Sequence, residues 1–278
     1  MAARLFATDL DGTLLVRGSD VSPRVRAALA AVQEAGLVVV LVTARNWRSV
    51  RDIAADAGVR GLAVCSNGAI TYDLERDEVV RSHPFDRQIL DAFLRRTALE
   101  LDLALGWETA LGAFRTPRFH ELSGPPPPNF AAKYLSAVEI LDGIADDHAV
   151  TKVVVRHESL TPAEVLRVLQ PLADQVVVTY SGGTFVEIMA PGITKGFGLA
   201  TLCEERGISA GDVVAIGDQI NDLPMLRWAG RGIAMGNADP AVRAEITEHT
   251  ASNLEDGVAV VIDSILEQLT IHPPRTRQ

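Results

Sequence analysis

Leu37-Val38-Val39-Val40-Leu41-Val42 and Val213-Val214-Ala215-Ile216 are apolar runs with no polar residue inside them. A strand with one wet face alternates apolar and polar side chains; a strand buried on both faces does not. Such runs therefore belong to a parallel sheet covered by helices on both sides. Leu62-Ala63-Val64-Cys65 and the shorter Gly232-Ile233-Ala234-Met235 read the same way, and so does the opening run through Phe6 and Ala7. Between them, Ser22-Pro23 caps a helix carrying Val25, Ala28, Leu29 and Val32 at helical spacing, with Gly36 as its stop. A second helix follows Thr43-Ala44-Arg45-Asn46 and ends at Gly58. The order is βαβαβ, with a polar cluster at the carboxyl end of each strand, the edge where doubly wound sheets bind ligands.

That rhythm breaks near residue 69 and returns near residue 190. Ala69–Tyr72 and Val79–Arg81 form a hairpin, Asp86 to about Ala98 a helix, and Leu101–Leu105 a strand. Gly124-Pro125-Pro126-Pro127-Pro128-Asn129 is an extended loop. Ala149–Val155 is a strand, Thr161-Pro162-Ala163-Glu164 opens a helix with a capping box, and Val176–Thr179 and Thr184–Met189 are strands. After Ala190-Pro191-Gly192, a helix opens at Thr194-Lys195-Gly196, and a last one spans about Leu254–Leu269 before a loose tail. The expected architecture is α/β: a Rossmann-like parallel-sheet core, 1–82 and 190–278, interrupted by an α+β module over 83–189.

A net charge of -10 argues against nucleic acid or an anionic membrane as the main partner. No apolar run approaches the ~18 residues that a membrane helix requires. Asp9 comes too early for a signal peptide's apolar segment. Cys65 and Cys203 lack CxxC spacing and read as buried thiols of a reducing compartment. The expectation is a cytoplasmic protein, monomer or homodimer.

Asp9-Leu10-Asp11-Gly12-Thr13 ends the first strand. Taken alone, Asp-x-Asp-Gly reads as an Asx-turn. Residues i and i+2 of a strand share a face, so Asp9 and Asp11 are also placed to converge. Thr43, Lys195 and the cluster Asp218, Asn221, Asp222 fall on the same rim of the sheet. Four carboxylates there call for a hard, oxygen-preferring divalent cation, and Mg²⁺ fits best. Lys195 and Thr43 suit a phosphate group. Together these parts serve phosphoryl transfer through an aspartyl intermediate, with Asp9 as nucleophile and Asp11 as proton donor and acceptor.

With these motifs in order, the chain resembles the haloacid dehalogenase (HAD) superfamily phosphatases, specifically the Cof-type subfamily IIB with its C2-type cap between the second and third motifs. Asp9-Leu10-Asp11-Gly12-Thr13, Thr43, Lys195 and Gly217-Asp218-Gln219-Ile220-Asn221-Asp222 match the four motifs, and Ser66-Asn67-Gly68-Ala69 also resembles this branch. The resemblance implies Asp9 as nucleophile and metal ligand, and Asp11 as acid/base with its backbone carbonyl on Mg²⁺. It implies phosphate binding by Thr43 and Lys195, and Mg²⁺ ligation by Asp218. Asn221 and Asp222 complete the site directly or through water, Asn221 toward phosphate and Asp222 toward the metal. The branch usually carries Thr-Gly-Arg where this chain has Thr43-Ala44-Arg45, so Arg45 receives no role.

The implied activity is Mg²⁺-dependent hydrolysis of a small phosphorylated metabolite, a sugar phosphate or related compound. A phosphotransferase or mutase on the same chemistry, and a non-catalytic sugar-phosphate-binding regulator, stay open. Lys195 alone is a first-turn lysine in solvent, and Asp222 alone complements a helix dipole. Glu108, Arg115, Arg118, His120 and Asn129 read as solvent-exposed positions around the proline loop, and Trp47 as packing.

Overall fold

The computed structural model describes residues 3–18, 20–95, 97, 101–110, 112–124, 132–134, 149–172 and 175–271. Contacts divide the chain into two compact units, Met1–Glu78 with Lys195–Gln278, and Val79–Thr194. The proline-loop residues 125–129, the tail from 272, and the far end of the helix expected at 86–98 lie outside the described residues. Among the described residues no helix is long and apolar enough to cross a membrane.

The strands in chain order are β1 (Leu5–Thr8), β2 (Leu15–Arg17), β3 (Asp20–Val21), β4 (Val38–Val42), β5 (Leu62–Cys65), β6 (Ile70–Asp73) and β7 (Glu78–Ser82). They continue as β8 (Ala104–Thr109), β9 (Ala113–Arg115), β10 (Ala132–Tyr134), β11 (Val150–Arg156), β12 (Val177–Thr179) and β13 (Val186–Met189). β14 (Val213–Gly217), β15 (Arg231–Ala234) and β16 (Glu248–His249) complete them. One sheet runs β16-β15-β14-β1-β4-β5-β6-β7. From β16 to β5 every pairing is parallel, and β6 turns back antiparallel on β5.

The apolar runs are buried as their lack of alternation requires: Leu5, Phe6, Ala7, Val40, Leu41 and Val42 have no solvent exposure. Each such Leu, Val or Phe contributes roughly 1.5–3 kcal/mol of burial. The helices Pro23–Glu34 and Gly257–Ile271 pack on each other, and Lys195–Glu205 packs on Leu223–Trp228. Chain order proceeds from β1 toward β4 and β5 on one side, and from β14 toward β15 and β16 on the other. The order therefore reverses at β1, and the carboxyl end of β1 is the switch point of this sheet.

The second unit carries the sheet β10-β9-β8-β11-β13-β12, antiparallel except for β9 with β10. The helix Pro162–Leu169 has the expected capping box from Thr161 and Glu164. β8 departs from the expectation. The strand begins at Ala104 and runs on through Gly106 and Glu108, because Asp102 turns the backbone first at φ 50°. Three further pieces have weak sequence signals and were not expected: the β2–β3 hairpin and the helices Pro117–Ser123 and Pro240–Glu245.

Candidate active site

Asp9 is the first residue beyond β1, and its N–H extends the ladder to the carbonyl of Ile216 at 3.1 Å. Its side chain is therefore delivered into the protein beside the end of β14. Lys195, first residue of the helix Lys195–Glu205, reaches the same point. Its Nζ lies 2.6 Å from Asp9 Oδ1 and 2.6 Å from Asp222 Oδ1, and the ammonium is 1% exposed. Asp218, the first residue after β14, completes the group. Asp9, Asp218 and Asp222 each offer an oxygen within 4.8 Å of the others. Three buried carboxylates thus surround one ammonium.

That charge imbalance shows in the titration of the groups. Burial, then the nearby Asp222 carboxylate, pushes Asp9 well above the ordinary carboxylate range, with Lys195 opposing. Burial and Asp222 push Asp218 up to about 6, against hydrogen bonds from Thr13 and Gln219. Burial works to lower Lys195, but Asp222 and Asp9 outweigh it and hold the ammonium above the usual lysine range. The lysine stays charged, and the site still has room for more positive charge.

The two flanking loops fix these carboxylates. Asp222 Oδ2 accepts the N–H groups of Asp218 and Gln219, both at 2.9 Å, while Oδ1 takes Lys195. Both of its oxygens are committed. Asp218 Oδ1 accepts Thr13 Oγ1 at 2.7 Å, and Oδ2 accepts Gln219 Nε2 at 3.1 Å. Gly12 sits at φ 78° directly against Asp218, where any Cβ would overlap its carboxylate. Gly217 leaves equally little room, since a Cβ there would lie 2.5 Å from Asp222 Cγ.

Asp11 is placed differently from its strand-based expectation. β1 ends at Thr8, so Asp9 and Asp11 do not share a strand face; the chain has entered the Leu10–Leu15 turn. The Asp11 carboxylate, about half exposed, is held by Arg45 through a two-pronged pair, Nε to Oδ2 at 2.7 Å and Nη2 to Oδ1 at 2.6 Å. Arg45 Nη2 also donates to the Gly18 carbonyl at 2.8 Å. Asp9 adds to the field that favours the charged guanidinium. Thr43 is fully buried after β4, and its Oγ1 accepts the Arg45 N–H at 3.1 Å. Asn221 Nδ2 donates to Asn67 Oδ1 at 2.9 Å, and its own buried Oδ1 has no hydrogen-bond partner among the described residues. The unpaired atom is an acceptor, which suits a cation or a donor.

A family model described as haloacid dehalogenase-like hydrolase matches residues 6–262. The chain belongs to this family. The hydrolase is 29% identical over 274 residues to the pyridoxal phosphate phosphatase YbhA of Escherichia coli (strain K12), a match covering 96% of this chain and 100% of that one. It is 28% identical over 263 residues to the 5-amino-6-(5-phospho-D-ribitylamino)uracil phosphatase YcsE of Bacillus subtilis (strain 168), covering 93% and 94% of the two chains. A solved HAD subclass IIB sugar phosphatase superposes with a TM-score of 0.78 over 94% of this chain and 98% of its own, at 20% identity, which establishes the shared fold.

The geometry adds Arg45, Thr13, Gln219 and Asn67 to the residues expected from sequence. Ala44 holds a negative φ and needs no glycine, so its presence does not displace Arg45. Among the other candidates, Trp47 stacks on Tyr72 at 5.0 Å, as packing predicts. Glu108 corrects its expected exposure: it is buried on β8, 3.0 Å from Lys152, which also meets Glu187 at 3.1 Å. Arg118 pairs with Asp102 at the surface. Cys65 and Cys203 are buried, and neither forms a disulfide.

Proposed function

We propose that the hydrolase is a cytoplasmic, Mg²⁺-dependent phosphatase acting on a small phosphorylated metabolite, a sugar phosphate or related compound. The observation that carries this reading is the buried group of three carboxylates around Lys195 at the switch point of the sheet. Its negative charge exceeds what one ammonium balances, and its donors are all hard oxygens, the set that Mg²⁺ takes. The orphaned Asn221 Oδ1 adds another oxygen of the same kind. Asp9, Asp218 and Asp222 would hold the ion, directly or through water. Bound there, Mg²⁺ supplies Lewis-acid charge for the phosphoryl oxygens.

The remaining steps belong to the chain's own side chains. An Asp9 oxygen attacks phosphorus in line, the bond from phosphorus to the ester oxygen breaks, and Asp11 gives its proton to the departing oxygen. Water then attacks the aspartyl phosphate, Asp11 takes its proton, and the bond from Asp9 to phosphorus breaks to release inorganic phosphate. Lys195 and the buried Thr43 hydroxyl hold the equatorial oxygens. Arg45 holds Asp11 at the rim, and the pair must part when Asp11 turns to the departing oxygen, because the guanidinium takes both carboxylate oxygens.

Purified protein should hydrolyse a generic aryl phosphate only with Mg²⁺ present, and Asp9→Asn should lower kcat by at least about 10³-fold. An Asp9→Asn protein that keeps most of its turnover contradicts this mechanism.

A further inference from the structure

We propose that Asn67 is a positioning residue of this site: it selects which atom of the Asn221 amide is left for a ligand, and it locks the loop carrying Asn221 to the strand end carrying Thr43. The inference rests on the phosphatase reading above.

Ser66, Asn67 and Gly68 follow β5 with φ of 49°, 57° and 98°. Two consecutive non-glycine residues in this region cost on the order of 1–2 kcal/mol each, and they persist where surrounding bonds impose them. Those bonds are present. The Ser66 N–H donates to the Arg45 carbonyl at 2.9 Å, and the Asn67 N–H donates to the Thr43 carbonyl at 3.0 Å. From the same residue, Asn67 Oδ1 accepts Asn221 Nδ2 at 2.9 Å across 154 positions of sequence. The helix that opens with Lys195 closes on this turn as well, since a Cβ on Gly198 would lie 2.7 Å from Gly68 Cα. Asn67 is 1% exposed and stands where the segments carrying Thr43, Arg45, Asn221 and Lys195 meet.

The consequence lies in the Asn221 amide. Such a group can present either its oxygen or its nitrogen. An acceptor on Asn67 draws the nitrogen toward itself and leaves Oδ1 as the atom without a partner. A buried amide oxygen left unpaired costs about 1–3 kcal/mol, which a hard cation or a donor in its place recovers. Asn221 lies three residues after Asp218 in one loop, so the class of ligand that fits is the divalent cation, bound directly or through water. Side chains that orient metal-binding groups in this way typically change affinity by about 10–100-fold when removed.

Calorimetric titration of Mg²⁺ into metal-free protein tests the assignment, with kcat and KM for an aryl phosphate measured alongside. Asn67→Gly removes the side chain and keeps the backbone angles. It is expected to weaken Mg²⁺ binding about tenfold and to lower kcat more than it raises KM. Asn221→Ala should match it, and the double variant should be no worse than either single one, because both substitutions remove the same interaction. Asn67→Asp keeps the accepting oxygen and should bind Mg²⁺ at least as tightly as wild type. Wild-type affinity in Asn67→Gly, multiplied losses in the double variant, or a loss in Asn67→Asp equal to that of Asn221→Ala each overturns the proposal. Asp218→Asn in the same titration separates the two ideas. If it still binds Mg²⁺, the phosphatase reading fails; if it does not while Asn67→Gly binds normally, only the role of Asn67 fails.

Discussion

Arg45 and Asp11 show how a modest surface interaction bears on chemistry more than on stability. The pair is part exposed, with the two side chains 26% and 48% accessible, and such pairs stabilise a fold by about 1 kcal/mol at most. Arg45→Ala should therefore leave the melting temperature within a few degrees of wild type. Its kcat should still fall about 10–100-fold, since Asp11 loses the fork that places it. Arg45→Lys keeps the charge but makes one bond instead of two and should fall between. An unchanged kcat in Arg45→Ala would reduce the pair to an incidental ion pair. Asp9, Lys195 and Asp218 were legible in the sequence because strand ends and helix starts fix their positions along the chain. Arg45 was not, because its partner lies 34 residues away on the neighbouring strand's exit, and no local pattern records that distance.

Among the elements, the short apolar strands were the most legible, since a strand buried on both faces leaves an unmistakable run. β8 was less so: Glu108 reads as polar and exposed, yet it is buried with Lys152 and Glu187, whose charges answer one another across three adjacent strands. Only the assembled sheet makes that residue an interior one. The helix that begins at Lys195 depends on close approach in a way its sequence hints at through Gly196 and Gly198. A Cβ on Gly196 would stand 2.5 Å from the Pro224 carbonyl oxygen, which belongs to the adjoining helix Leu223–Trp228. Backbone cannot yield as a flexible side chain can. Gly196→Ala should therefore push the two helices apart, shift Lys195 from its 2.6 Å contacts, and lower both melting temperature and kcat. Overpacking of this kind typically costs about 1–3 kcal/mol. Calorimetry and steady-state kinetics on the variant check this; wild-type values for both would show that the helices part without consequence.

At the scale of the whole molecule, the buried carboxylates set a conflict between folding and function. Asp218 titrates near 6 in the folded protein against 3.8 for the ordinary group, so the native state holds more protons than the unfolded one between those values. Stability of the metal-free protein therefore falls as pH rises through about 4 to 6, and Asp9 acts in the same direction. Relative to Asp218→Asn, the wild-type melting temperature should drop across that range, and Mg²⁺ should restore it at neutral pH. A gap that does not move with pH would remove Asp218 from the buried group. The proposed mechanism requires that Asp9 itself become phosphorylated. Borohydride added during turnover of an aryl phosphate reduces an acyl phosphate to the alcohol, and peptide mass spectrometry then reads the site. Homoserine is expected at position 9, dependent on Mg²⁺ and on substrate; an intact Asp9 under full turnover, or reduction at another carboxylate, would contradict the aspartyl-phosphate mechanism.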